Sequence, residues 1–198
     1  MADYTAFYEA GSALVELLRD SLTPEPVSDR EAVSLCSPHE SGNNQLTLHL
    51  YEVQEENQNV NAGYYQVDRD TQRRAPARYI LRYLATAHSK APAPLKEADQ
   101  HRIMGALAQT VRDNPVIPIK YLSGSAAEER AELHIMLERT GIEQLLKLWN
   151  NNSKDYKLSM VVSISGVTID SGRERKAPRV TEVIIGTEET AVREVGEQ

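Results

Sequence analysis

The stretch 131–165 constrains the fold most, because its apolar residues change from the spacing of a strand to that of a helix and back. Leu133, Ile135 and Leu137 occupy alternate positions, as in a strand with one buried face. After Gly141, four apolar residues recur at helical spacing: Ile142, Leu145, Leu146 and Trp149. Residues 156–164 again favour a strand. The stretch therefore predicts a packing unit of strand, helix and strand, with no side chains arranged for catalysis.

The rest of the chain predicts two longer helices and several short strands. One helix is expected at 4–20, with Asp3 as N-cap and with Tyr4 and Tyr8 on its apolar face. A second is expected at 97–112, with His101 on its apolar face and Asn114-Pro115 after its end. The expected strands are 31–37, 45–53, 79–86, 116–122 and 180–185. Pro118 interrupts 116–122, so that segment is expected to be an edge or irregular strand. Residues 55–75 favour one long polar loop, and loops of that length are usually functional or mobile. This order predicts an α+β fold with a mixed or mainly antiparallel sheet and helices packed on it.

Two regions of the chain are expected. Residues 1–172 carry the apolar pattern of one α+β domain, and a chain of 198 residues is long enough to bury such a core. Residues 173–198 form a C-terminal arm, which begins with a polar, basic joint and continues into the strand candidate 180–185. An apolar strand at the end of such a joint pairs either within its own sheet or with a neighbouring subunit.

The charge distribution argues against nucleic-acid binding. The chain carries a net charge of −7, whereas phosphate contacts need concentrated positive charge. Residues 1–60 hold eleven Asp and Glu against two Lys and Arg, and residues 61–120 hold five against ten. This unequal distribution suits contacts between copies or with a charged partner, and it also suits solvated faces.

The composition also indicates where the chain works. Cys36 is the single cysteine, so a reducing compartment is expected. No apolar run approaches the ~20 residues that cross a membrane, and no secretory signal is expected at the N-terminus. Nine tyrosines stand against one Phe and one Trp, a bias that fits interfaces or sheet edges.

No motif for catalysis, metal binding or cofactor binding occurs in the sequence. Five histidines fit no metal-ligand spacing: His39, His49, His88, His101 and His134. Phosphate-binding glycine loops and nucleophile motifs are absent as well. We therefore expect no catalytic residue, no bound metal and no cofactor, and a structural role rather than an enzymatic one.

Four segments form an ordered pattern: 46–53 followed by Asn57; 79–87; 101–105 followed by Asn114-Pro115; and Trp149 with 156–159. This pattern resembles the N-terminal domain of the tail-terminator, or cap, proteins of phage-tail-like contractile injection systems, such as the antifeeding prophage. The resemblance covers residues 4–170. Gln100 stands where the family pattern usually has Glu.

The resemblance implies a ring, expected to be a hexamer, that caps the tube, the sheath or both and ends their polymerisation. The implied partners are further copies of the chain and the tube and sheath proteins, met in the cytoplasm of the producing cell and then in the assembled particle. Two other classes stay open: a tube-to-baseplate adaptor or other minor tail component, and a small α+β enzyme or ligand-binding domain. The candidate interface residues are Asn57, Asn59, Tyr64, Tyr65, Arg175, Arg179, Val180, Val183, Ile184 and Ile185.

Overall fold

The computed structural model describes residues 4–40, 42–56, 63–68, 70–150 and 156–176. These residues form four α-helices: α1 (Ala6–Leu22), α2 (Lys96–Asp113), α3 (Gly124–Glu128) and α4 (Ile142–Asn150). They also form eight strands: β1 (Val33–Leu35), β2 (Leu46–Glu55), β3 (Tyr64–Asp68), β4 (Thr71–Arg74), β5 (Ala77–Ala87), β6 (His134–Leu137), β7 (Ser159–Ile169) and β8 (Glu174–Lys176). The strands belong to two separate sheets.

A five-stranded sheet in the order β1-β2-β5-β7-β6 forms the centre of the fold. Strand β5 pairs antiparallel with β2 on one side and with β7 on the other, as its nearly continuous apolar run predicts. Strand β1 runs parallel to β2, and β6 runs antiparallel to β7. The sheet is therefore mixed and mainly antiparallel, which confirms the predicted α+β fold class.

The two faces of this sheet are covered unequally. Helices α1 and α2 pack on one face and enclose the main core. Leu14 and Leu18 of α1 are fully buried there, and each buried leucine contributes about 1.5–3 kcal/mol relative to an exposed one. The other face carries a smaller core, in which Leu145 and Trp149 of α4 pack with β5 and β7. The strand–helix–strand unit predicted for 131–165 is present as β6, α4 and β7.

A second sheet, in the order β3-β4-β8, corrects the prediction of one long loop over 55–75. Strands β3 and β4 form an antiparallel hairpin, and β8 pairs antiparallel with β4. The residues of β4 and β8 are almost all polar or charged, so they carry no apolar alternation for a sequence pattern to detect. Strand β8 also lies inside the segment expected to be a polar joint.

Several local predictions were wrong. The N-cap of α1 is Thr5, and Asp3 lies outside the described residues. Tyr4 and Tyr8 were assigned to the buried face of α1, but they are exposed. His101 was assigned to the buried face of α2, which is instead formed by a stripe that includes Ile103 and Leu107.

The segment predicted as a strand at 116–122 is irregular. It makes one antiparallel bridge, between Val116 and His134, and then a short 3₁₀ turn at Ile119–Tyr121. Pro118 lies between these two features and has no N–H to donate to a strand ladder. The predicted interruption by proline is therefore confirmed.

Candidate assembly surfaces

Three of the predicted interface residues lie together in the three-stranded sheet: Tyr64 and Tyr65 on β3, and Arg175 on β8. The other seven lie outside the described residues: Asn57, Asn59, Arg179, Val180, Val183, Ile184 and Ile185. Tyr64 and Arg175, which are about 110 positions apart in the chain, thus meet in this small sheet.

The contacts between these residues are specific. The guanidinium carbon of Arg175 lies 4.0 Å from the centre of the Tyr64 ring, a cation–π contact. Arg175 Nε donates a hydrogen bond to Gln72 Oε1 at 2.9 Å. Next to them, Arg73 Nη2 contacts Glu174 Oε1 at 2.5 Å, and this hydrogen bond raises the pKa of Arg73 further. These contacts hold β8 against the hairpin formed by β3 and β4.

This small sheet has no buried core of its own. None of the residues in its three strands is buried, and β3 exposes Tyr65 and Val67 at 43% and 40%. Three-stranded sheets usually need an apolar face or a packed helix for independent stability. An exposed aromatic and an exposed aliphatic side chain on such a sheet are therefore suited to contact with another protein.

A second exposed apolar surface lies around α4. Ile142 and Leu146 belong to the apolar spacing predicted for this helix, but they are 56% and 38% exposed. Trp149 is buried as predicted, and its ring makes an edge contact with His39, with ring centres 5.0 Å apart. The indole N–H of Trp149 has no hydrogen-bond partner among the described residues. The short helix therefore covers the sheet with Leu145, Leu148 and Trp149, while Ile142 and Leu146 remain exposed.

A third surface is a groove of about 320 Å³ at the β1 edge of the large sheet, which the sequence did not predict. Tyr8, Leu35 and Tyr83 are among its lining residues. The one available sequence signal was the difference in length between the short apolar run before Pro38 and the long alternating run that follows it. That difference means that the first strand covers only part of the second.

Histidine 88 is a buried titratable group that follows β5 and contacts β2. His88 Nε2 lies 2.9 Å from Thr47 Oγ1, and Nδ1 lies 3.1 Å from Lys157 Nζ. Because Lys157 is a donor only, Nδ1 accepts and Nε2–H donates to Thr47. Burial, together with the charges of Lys157 and Lys96, lowers the pKa of His88 to about 4. His88 is therefore neutral at pH 7, and its contacts fasten the end of β7 to β2.

The described residues offer no other arrangement that suggests chemistry. They contain no group of three or more His, Cys, Asp or Glu side chains that could hold a metal ion. Within the same residues, no helix is both long and apolar enough to span a membrane.

Comparison with known proteins agrees with this fold. Residues 9–182 match the family model of the Pvc16 N-terminal domain. No curated protein is significantly similar to the chain in sequence.

Two cryo-EM structures share the fold at low sequence identity. The sheath/tube terminator of the PVC extracellular contractile injection system, in its extended state, is similar with a TM-score of 0.65 and 16% identity. The match covers 93% of this chain and 64% of that one. The tube-terminating cap of the anti-feeding prophage is similar with a TM-score of 0.56 and 16% identity, over 88% of this chain and 59% of that one. The chain thus spans about three fifths of the length of these structures.

Proposed function

The chain belongs to the Pvc16 N-terminal domain family, and from this premise we propose that it caps the tube, the sheath or both in a contractile injection system and terminates their polymerisation. The observation that carries the proposal is the fold shared with the PVC sheath/tube terminator over 93% of the chain. The cap of the anti-feeding prophage supports it as a second structure with the same fold.

Termination of a polymer sets two physical requirements on the protein that performs it. A tube or sheath built from head-to-tail contacts keeps an open end that accepts the next layer. A terminator has to match that end with one face and present no copy of the next binding surface on the other. No catalytic group is required for this, so we infer a structural protein rather than an enzyme.

A ring of copies, with six as the expected number, is part of the proposal. The tube and sheath are built in repeated layers, and a ring cap contacts every subunit of the last layer at once. Such multivalent contact raises the overall affinity without any single strong contact. The cap is made in the cytoplasm of the producing cell, where it meets the tube and sheath, and it then becomes part of the particle.

The exposed three-stranded sheet and the C-terminal arm are the proposed contact surfaces. Tyr64, Tyr65 and Arg175 lie in a sheet in which none of the described residues is buried. The remaining members of this surface are Asn57, Asn59, Arg179, Val180, Val183, Ile184 and Ile185. We assign residues 1–172 to the domain and 173–198 to an arm that reaches a neighbour.

The proposal is tested by the mass of the purified protein and by the length of the particles it terminates. Sedimentation and negative-stain images should show a ring as wide as the tube. Particles from producing cells that lack the protein should vary in length, and wild-type protein should restore one length. A strictly monomeric protein that leaves particle length unchanged when deleted would contradict the proposal. If deletion of the protein instead yields particles without a baseplate, the protein acts as a tube-to-baseplate adaptor.

The role of the small sheet is tested separately by Tyr65→Ser and Arg175→Glu. Tyr65 is 43% exposed and Arg175 lies on the outer strand, so neither change removes core packing. We expect normal melting of both variants, weaker ring formation and variable particle length. Leu95→Ser, which removes a 60% exposed side chain elsewhere on the surface, is the matched control and should behave as wild type.

A further inference from the structure

One edge of the five-stranded sheet is only partly covered. Strand β1 pairs with Leu46, Thr47 and Leu48 of β2, and the last backbone bond along this edge runs from Cys36 N to Leu48 O at 3.1 Å. Strand β2 continues from Leu48 to Glu55, and no described strand pairs with its outer side over that length. As far as the described ranges extend, about seven residues of β2 therefore present a backbone edge on which another strand can add.

The apolar groove lies where β1 leaves β2. Its walls come from the start of α1, the end of β1 and the middle of β2: Phe7, Tyr8, Leu35, Cys36, Leu48 and Leu50. Tyr8 is 70% exposed and Leu35 is 39% exposed, so apolar surface lies open at the rim. A strand added to β2 would place alternate side chains into this groove.

An unpartnered hydroxyl lines the groove. Tyr83 on β5 is only 2% exposed and lines the cavity, yet its hydroxyl makes no hydrogen bond to any described residue. Burial raises the pKa of Tyr83, so the hydroxyl is a neutral donor at pH 7. Gly11 leaves the space it occupies, because a Cβ there would lie 2.7 Å from the hydroxyl oxygen. A bound segment that offers a carbonyl or hydroxyl oxygen at this position would accept a hydrogen bond from it.

We propose that this groove and the open edge of β2 bind the strand 180–185 of a second copy of the chain. The inference rests on the proposed ring and names its acceptor surface. The strand VTEVII presents Thr181, Val183 and Ile185 on one face, which is apolar apart from one hydroxyl. That face matches the groove, whose lining is mainly apolar and whose polar members include Ser37, His49 and Tyr83. The opposite face would put the carboxylate of Glu182 into this mainly apolar cavity, which is unfavourable.

The direction of β8 favours a neighbouring copy over the same copy. Strand β4 runs into β5 and the large sheet, and β8 is antiparallel to β4, so β8 runs away from the large sheet. Only residues 177–179 separate Lys176 from Val180, and the four steps between them span at most about 14 Å. For residues 180–185 to reach β2 of the same copy, the chain would have to reverse its direction within 177–179. It would then have to run back along the hairpin. A neighbour's edge needs no reversal.

The single native cysteine provides a test in the full-length protein. Cys36 lines the groove, so a cysteine placed on the incoming strand within disulfide distance should link to it. Three variants test the inward face: Thr181→Cys, Val183→Cys and Ile185→Cys. Two variants test the outward face: Glu182→Cys and Ile184→Cys. After mild oxidation we expect linked oligomers from at least one inward position and their loss when Cys36→Ser is added.

Mixing two chains separates a link between copies from a link within one copy. The donor carries Cys36→Ser together with one of the inward cysteines, and the acceptor is the wild-type chain with a different tag. Each chain then has one thiol, and peptide mapping should find Cys36 of the acceptor joined to the donor strand. A link that forms only when both cysteines share one chain would overturn the proposal, as would links from the outward positions alone.

Two further substitutions in the walls of the groove test its contribution to the yield of the disulfide link. Tyr8→Ser should reduce the yield of the link, and Tyr83→Phe, which removes only the hydroxyl, should reduce it with little effect on folding. Leu95→Ser is the matched control, because Leu95 is 60% exposed and does not line the groove. If the protein forms rings and caps particles but no link to Cys36 forms, the proposed binding of 180–185 in the groove is wrong and the proposed function stands. If the protein neither assembles nor caps, the proposed function fails too.

Discussion

The carboxylate of Glu9 in α1 accepts a hydrogen bond from the hydroxyl of Ser125 in α3, with 2.8 Å between the oxygens. The same carboxylate accepts the backbone N–H of Ala126 at 3.1 Å and the hydroxyl of Thr5 at 2.7 Å. It therefore satisfies donors at the start of α3, where a negative charge is also favoured by the helix dipole. Gly124, with a φ of +55°, keeps clear the space next to the carboxylate, because a Cβ there would clash with Glu9 Oε1. This cluster joins the first helix to a segment 116 residues later.

Glu9→Gln should lower the free energy of unfolding by about 1–2 kcal/mol, because hydrogen bonds to a charged acceptor are stronger than those to an amide. Although burial raises it, the three hydrogen-bonding groups together hold the pKa of Glu9 below its usual value. The contribution is therefore present above the ordinary carboxyl pKa and is lost as the pH falls through the lower folded value. Urea titration at pH 7 measures the change.

Glu143→Gln is the matched control for that variant. Glu143 is exposed on α4, so its substitution should change the free energy of unfolding by less than about 0.5 kcal/mol. Equal effects of the two substitutions would show that the link between α1 and α3 contributes nothing specific.

His88 should make the protein less stable in mild acid. Its pKa is about 4 in the folded chain and about 6.5 when unfolded, so between these values only the unfolded chain binds the proton. The free energy of unfolding should therefore be level above pH 6.5 and fall towards pH 4, by at most about 3 kcal/mol from this group. Denaturation at several pH values checks the slope.

Two variants isolate that effect from the titration of carboxylates. His88→Gln should flatten the curve between pH 6.5 and 4, while His101→Gln, at an exposed position on α2, should leave it unchanged. A slope that survives in His88→Gln would assign the acid sensitivity to other groups.

Trp149→Ala should destabilise the domain by about 3–5 kcal/mol, as is typical for the truncation of a buried aromatic side chain. Trp149 is 2% exposed and packs with Leu84, Leu145 and Val161 in the smaller core. Thermal melting gives the size of the loss. Trp149→Phe keeps a ring in the same space and removes the N–H that has no partner among the described residues, so we expect a much smaller loss. An unchanged melting temperature of the alanine variant would contradict the burial of this ring.

The elements that sequence reasoning found are those with a regular apolar period. Leu46, Leu48 and Leu50 alternate along β2, and that period predicts a strand whatever its neighbours are. The hairpin that begins at Tyr64 was missed because its charged residues are held by contacts with β8, about 100 positions later. The groove was missed for a similar reason, since it exists only because β1 stops early against β2. Pairing between segments that are distant in the chain determines both features, and it cannot be inferred from the local periodicity of apolar residues.

Removal of the C-terminal arm should separate folding from assembly. The main core is complete within residues 6–167, and no residue of β8 is buried, so deletion of 173–198 should leave the melting of the domain nearly unchanged. That deletion also removes the contacts of Arg175 with Tyr64 and of Glu174 with Arg73. A second deletion, of 177–198, keeps these contacts and removes only the segment beyond β8.

We expect both truncated proteins to fold and neither to form the ring or to set the particle length. If the arm acts by strand addition, the shorter deletion should be as defective as the longer one, because both lose 180–185. A ring that is lost only in the longer deletion would assign the interface to β8 and the small sheet. Unfolding of the shorter deletion would instead show that 180–185 belongs to the core of its own domain. Melting curves, sedimentation and particle length in producing cells together distinguish these outcomes.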